Sequence, residues 1–169
     1  MAAVRKAGGR QVAAVYAGTF DPFTLGHLDV AERAAQAFSP LIVAVAEAPR
    51  KRLLFSTEER VAMAKASLAH IPGVEVAPFD GLLVEWAKAH GVGVVVRGLR
   101  SVSDFELEFQ MALTNRKLAP EVDTYFLMSP PELAFVSSSM VREVAGLHGP
   151  LESFVPPPVA QALRKRFPA

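Results

Sequence analysis

Residues 12–27 read VAAVYAGTFDPFTLGH, and this stretch decides the fold. Val12–Ala17 is a continuous apolar run, the mark of a strand buried on both faces. It runs straight into Gly18, where the backbone can turn, and then into a polar loop closed by Gly26-His27. Beyond the loop, Val30, Ala34, Ala37 and Phe38 fall on one face, so Asp29–Phe38 is expected to be helical. Strand, loop and helix then recur. Leu41–Ala46 (LIVAVA), Val74–Ala77, Val92–Val96 and Thr124–Met128 are the further expected strands. Between them, Ser56 with Glu59 signals a capping box before Val61–Ala69, and Ser103 with Glu106 signals another before a helix ending near Leu118. Asp80 is expected to cap Leu82–His90, with Gly91 just past its end, and Ser137 or Ser138 to cap Met140–Ala145. Pro156-Pro157-Pro158 can open, but not continue, a last helix to Phe167.

Five strand–helix units with apolar strands predict an α/β fold: a single doubly wound, five-stranded parallel sheet with helices on both faces, Rossmann-like. In such sheets ligands bind beyond the carboxyl ends of the strands, at the topological switch point. Residues 1–11 carry no helix or strand signal and are expected to form a flexible extension. Residues 12–169 are expected to form the domain.

Composition narrows the function. The chain of 169 residues has 18 Lys plus Arg against 17 Asp plus Glu, a net charge of +1, so no large field for duplex nucleic acid is expected. The absence of cysteine removes disulfides, thiolate zinc sites and thiol nucleophiles. No apolar run approaches the ~18 residues of a membrane span, and a cytoplasmic protein is expected.

The segments after the expected strands carry the chemistry. Thr19 offers a hydroxyl at a strand end, and Gly26-His27 opens a helix whose N-terminus favours anions. Read alone, the same loop could be a surface turn in which Thr24 caps the helix and His27 is solvated. The loop matches neither Gly-x-Gly-x-x-Gly nor a Walker sequence, which disfavours a dehydrogenase or a P-loop ATPase. Arg50-Lys51-Arg52 follows the second strand, and Arg97-Gly98-Leu99-Arg100 the fourth. Read alone, the first run could be a solvated charged face; the guanidinium forks of Arg97 and Arg100 suit phosphate oxygens, and their ion pairs to Asp104, Glu106 or Glu108 could coexist with that role. Ser137-Ser138-Ser139 sets three hydroxyls at a helix start, more than capping needs. Together these point to a polyphosphate ligand. No Asp/Glu/His cluster has metal-ligand spacing, so an expected metal is Mg²⁺ held mainly by phosphates and waters.

The loop at Thr19–His27 resembles the T/S-F-D-P-x-T-x-G-H signature of the nucleotidyltransferases, and Ser137–Arg142 resembles their second motif. R-G-L-R-x-x-x-D-F-E at Arg97–Glu106 and F-S-T-E-E-R at Phe55–Arg60 are similar to the bacterial phosphopantetheine adenylyltransferases. The likeness runs from about Val12 to Leu163 and departs from the family at Ala17, Leu25, Leu107 and Leu133. It implies transfer of the adenylyl group of ATP to 4′-phosphopantetheine, giving dephospho-coenzyme A and pyrophosphate by direct displacement. It implies that His27 stabilises the transition state at the α-phosphate. ATP would be held by Thr19, Phe20, His27, Gly98, Leu99, Arg100 and Glu108, and by Leu133, Ala134, Phe135, Val136, Ser137, Ser138 and Ser139. Thr19, Lys51, Leu83 and Arg97 would hold phosphopantetheine. A homohexamer and inhibition by coenzyme A are further implications of the resemblance.

Overall fold

The computed structural model describes residues 12–48 and 52–168. The expected extension 1–11 and the cations Arg50 and Lys51 lie outside them. In chain order the elements are β1 (Ala14–Gly18), α1 (Leu25–Ala37), β2 (Leu41–Ala46), α2 (Thr57–Leu68), β3 (Val74–Phe79), α3 (Leu83–Ala89), β4 (Val94–Leu99), α4 (Val102–Leu118), β5 (Asp123–Met128), α5 (Ser138–Gly146) and α6 (Pro157–Arg166). A short 3₁₀ turn, Pro131–Leu133, precedes α5 and had no sequence signal beyond its prolines.

The five strands form one sheet in the order β3-β2-β1-β4-β5, and every pairing is parallel. The doubly wound parallel sheet expected from the apolar runs is thus the observed one. Alternate residues of each central strand feed two cores. Tyr16, Val43, Val45, Val94 and Val96 face α1, α2, α5 and α6. Val15, Ala17, Ala44 and Val95 face the other side, where Val84 and Ala87 of α3 join Val92, Ala119 and Val122. Burial on both sides is what made the strands read as unbroken hydrophobic runs.

Caps set most helix boundaries. The capping box at Ser56 and Glu59 is present, and Gly91 follows α3 with φ +66. Ser137 caps α5, accepting from the Met140 N–H at 3.1 Å. Three expectations need correction. α1 starts at Leu25 rather than Asp29, because Thr24 caps it. α4 starts at Val102, capped by Ser101, whose side chain accepts from the Asp104 N–H; the cap is not Ser103. Asp80 caps no helix: its carboxylate accepts from the adjacent Gly81 N–H at 2.7 Å, and α3 opens on Leu82 without a side-chain cap.

The strand after α3 is also displaced. It runs Val94–Leu99 rather than Val92–Val96, because its ladder with β5 continues to the pair Leu99↔Met128. Arg97 and Gly98 are therefore strand residues. Among the described residues, no helix is long and apolar enough to cross a membrane.

Candidate active site

The β1–β4 ladder ends at Tyr16↔Val96, while β1 continues along β2 to Gly18 and β4 continues along β5 to Leu99. The two central strands therefore part at their carboxyl ends. The chain reverses its direction of sheet growth between these strands, so this is the topological switch point. A cleft of about 620 Å³ opens there. Arg97 spans the parting: its Nη1 donates to the Ala17 carbonyl at 2.7 Å.

Two helix N-termini converge on the cleft. Thr24, Gly26 and His27 of the α1 start line one wall, and Ser137, Ser138 and Ser139 of the α5 start line another. First-turn N–H groups lack intrahelical partners, and both dipoles carry their positive ends here. Ser138 Oγ donates to the Pro22 carbonyl at 2.8 Å, fastening α5 to the first loop. One of the three serines caps and another fastens, so two of the three hydroxyls have structural partners.

His27 is oriented by its own helix start. The Thr24 main-chain N–H donates to His27 Nδ1 at 2.9 Å, and the Thr24 hydroxyl accepts from the His27 N–H at 3.3 Å. An Nδ1 that accepts leaves the ring proton on Nε2. The rings of Phe20 and Phe23 pack on the imidazole, with centroids 5.0 and 5.5 Å away. Burial, and then the nearby Arg100 and Arg97, lower the His27 pKa to about 3. His27 is thus a neutral Nε2–H donor at neutral pH. Both alternative readings of Thr24 and His27 hold in part: the threonine caps, and the histidine still lines the cleft rather than merely meeting solvent.

The cations sit opposite. Arg97 makes a two-pronged pair with Glu108, Nε and Nη2 each 2.6 Å from a carboxylate oxygen. Arg100 pairs with Asp104 at 2.9 Å. The ion pairs foreseen as an alternative to phosphate binding are therefore made, yet all four residues still line the cleft. Gly98 serves packing: a Cβ there would lie 3.0 Å from Val30 Cγ2, so the glycine lets β4 approach α1. A Cβ on Gly18 would meet the Phe20 ring at 2.8 Å, and Phe20 itself has φ 51.

Thr19, Phe20, His27, Gly98, Arg100, Glu108, Val136, the serine triplet and Arg97 are brought together at the cleft. Leu99, Leu133, Ala134 and Phe135 do not line it. Leu99 is buried, Leu133 packs on the main core, and Phe135 is 64% exposed. Leu83, the first residue of α3, packs against the second core and does not line the cleft. Lys51 lies outside the described residues.

Four cleft or near-cleft residues had no assigned role from sequence. Arg52 lines the opening and Tyr16 its floor. Asp21 is buried and accepts from the Leu54 and Phe55 N–H groups at 2.9 and 3.0 Å. Arg142, one turn into α5, donates to the Asp21 carbonyl and lies 3.5 Å from its carboxylate. Only the place of Arg142 at the end of the serine motif could have flagged it.

A parallel sheet split at its switch point, with two helix N-termini and a row of arginines around the gap, defines an α/β protein that handles phosphoryl groups. A family model described as cytidylyltransferase-like matches residues 15–144. Curated relatives include the phosphopantetheine adenylyltransferase of Synechococcus sp. (strain JA-3-3Ab), 56% identical over 155 residues, covering 92% of this chain and 98% of the relative. The enzyme of the same name from Desulforudis audaxviator (strain MP104C) is 53% identical over 154 residues, covering 91% and 94%. The chain belongs to the cytidylyltransferase-like nucleotidyltransferases and, within them, to the phosphopantetheine adenylyltransferases. Among solved structures, the Plasmodium falciparum nicotinic acid mononucleotide adenylyltransferase complexed with NaAD superposes with a TM-score of 0.67 over 94% of this chain and 96% of that one. At 14% identity it shows the shared fold.

Proposed function

We propose that this chain transfers the adenylyl group of ATP to 4′-phosphopantetheine, releasing pyrophosphate and dephospho-coenzyme A in a step of coenzyme A synthesis in the cytoplasm. The observation that carries the reading is the neutral His27, an Nε2–H donor at a helix N-terminus, facing Arg97 and Arg100 across the switch-point cleft.

The chemistry follows from charge. A phosphate monoester has a second pKa near 6 and is largely a dianion at neutral pH, so the nucleophile needs no general base. The barrier lies in bringing two anions together and in stabilising charge at the α-phosphorus, which positioning and fixed dipoles accomplish. Arg97, with Lys51, offsets the charge of phosphopantetheine, and Thr19 orients its phosphate. His27, Arg100 and the α5 start hold the ATP phosphates. The attacking oxygen displaces pyrophosphate in line, with no covalent enzyme intermediate.

The cleft carboxylates Asp21, Asp104 and Glu108 are already engaged by N–H groups or arginines. That donor set suits Mg²⁺ carried on the ATP phosphates rather than in an all-protein cage. Bound there, the ion would neutralise charge on the leaving pyrophosphate. Coenzyme A carries both halves of the product and would compete for the same cleft as a feedback inhibitor.

The α4 surface supports self-association. Phe105, Leu107, Phe109, Met111 and Leu113 are 43–69% exposed, set between polar residues along α4. Exposed apolar side chains gathered on one element mark an interaction surface. With Met128 of the edge strand β5 also exposed, the surface suits a second copy of this chain, and a homohexamer is the assembly we propose.

The test is pyrophosphate release from ATP with phosphopantetheine or nicotinamide mononucleotide offered in turn. Release with phosphopantetheine alone is expected. Release only with the mononucleotide would make the chain a different nucleotidyltransferase, and release with neither would make it a nucleotide-binding sensor.

A further inference from the structure

Arg60 is the largest fully buried side chain among the described residues, at 1% exposure. It occupies the apolar face of α2, one helical turn before Met63 and Ala64 and two before Ser67 and Leu68, all buried. A methionine or leucine would fill such a position at less desolvation cost. The guanidinium instead donates to neutral oxygens of three separate segments. Nη1 reaches the Thr19 carbonyl at 2.6 Å and the Ala46 carbonyl at 2.7 Å. Nη2 reaches Thr57 Oγ1 at 2.9 Å and the Glu47 carbonyl at 3.5 Å. Nε reaches the Phe55 carbonyl at 3.2 Å.

Two of these segments are tied a second time. The Asp21 carboxylate, two residues after Thr19, takes the Leu54 and Phe55 N–H groups. The end of β1 and the β2–α2 connection are thus cross-braced by one buried cation and one buried anion. Neither bonds directly to the other in this arrangement. Each instead fixes the backbone of the opposite segment. A carbonyl accepts over a broad angle, but a planar fork bonded to Thr19, Ala46 and Thr57 at once allows one relative placement.

We propose that Arg60 is a positioning residue for adenylyl transfer: by fixing the Thr19 backbone against the β2–α2 connection, it sets where the attacking phosphate stands relative to the ATP α-phosphate. The assignment rests on the reaction proposed above. Arg60 touches neither substrate. It acts through Thr19 on one side of the cleft, whereas the His27 and Ser137–Ser139 wall that receives ATP is built by α1 and α5.

Arg60→Lys tests this, because an ammonium keeps the charge but cannot span the three segments as a fork. In folded R60K, kcat with both substrates saturating is expected to fall by about 10–100-fold, the cost of a misplaced reactant. ATP affinity by calorimetry, and the fraction of ATP-competent sites, should stay at the wild-type level. A merely structural role would instead reduce that fraction and leave kcat per competent site intact. Wild-type kcat per site in R60K, or a loss confined to ATP affinity, would overturn the proposal. If R60K does not fold, Thr57→Val removes one acceptor from the guanidinium at the half-buried start of α2. A lower kcat with unchanged ATP affinity is again expected, and an unchanged kcat overturns the brace. If the wild-type chain makes no dephospho-coenzyme A, the reaction assignment fails separately. The brace is then judged by amide hydrogen exchange at Leu54 and Phe55, which should quicken in R60K or T57V; unchanged exchange overturns it.

Discussion

The Thr24 main-chain N–H donates to Nδ1 of His27 at 2.9 Å, so the cap of α1 also sets the tautomer of the histidine that lines the cleft. Because the donor is backbone, the orientation survives any change of the Thr24 side chain that keeps the helix start. The ring cannot serve as a base through Nδ1, and its remaining function is donation from Nε2.

Removing that donor should act on the transition state. His27→Ala is expected to raise the barrier by about 2.7–4 kcal/mol, while ATP affinity changes little. Steady-state kinetics with calorimetric ATP titration separates the two. Wild-type kcat in H27A would contradict the role given to His27.

The depressed pKa of His27 has two consequences for pH. The ring stays neutral above about pH 3, so no fall in kcat near pH 6.5 should come from it. An acid limb near pH 6 would belong to the phosphopantetheine phosphate. For stability, the unfolded histidine binds a proton below about pH 6.5 while the folded one does not until about pH 3. The stability present above pH 6.5 is therefore lost progressively as pH falls between those values. Thermal melts from pH 7 to pH 4 should show a shallower decline for His27→Gln than for wild type. Parallel declines would count against the burial argument.

Arg97 should be separable from ATP binding. Arg97→Lys keeps a charge but loses the fork to Glu108 and the Ala17 carbonyl. Charge-assisted bonds of this kind contribute about 1.5–3 kcal/mol. We expect a lower Tm and a raised KM for phosphopantetheine, with ATP affinity held. A loss of ATP affinity alone would exchange the two subsites.

Gly98→Ala should push β4 off α1. The new methyl would stand 3.0 Å from Val30 Cγ2, an overpacking that costs about 1–3 kcal/mol. Val30→Ala in the same chain should restore part of it in a denaturant titration. Additive losses would mean that Val30 is not the obstacle.

Leu107, 69% exposed on α4, is the probe for assembly. Leu107→Glu should shift sedimentation velocity toward smaller species without unfolding the monomer. An unchanged distribution would place the interface elsewhere.

Local chemistry carried much of this protein in its sequence. The apolar runs, the caps at Ser56 and Ser137 and the glycine after α3 depend on neighbours within a few residues. The fold class and the two motif loops were accordingly legible, as was the gathering of Thr19, His27, Arg97 and Arg100 at one cleft. Their resemblance to one enzyme family was legible for the same reason. Where a signal had two local solutions, sequence chose less well: Asp80 turned onto Gly81, and Thr24 opened α1 a full turn early.

Tertiary structure alone decided the rest. Strand order placed the gap between β1 and β4, and ladder length put Arg97 inside a strand. Of the three carboxylates within reach of the arginines, packing gave Glu108 to Arg97 and Asp104 to Arg100. Burial beneath Phe20 and Phe23 kept His27 neutral, and the meeting of three distant segments turned Arg60 into a brace. Sequence determines which groups are present and which short-range bonds they can make. Distances between segments far apart in the chain, and the water excluded between them, exist only once the sheet has closed its order.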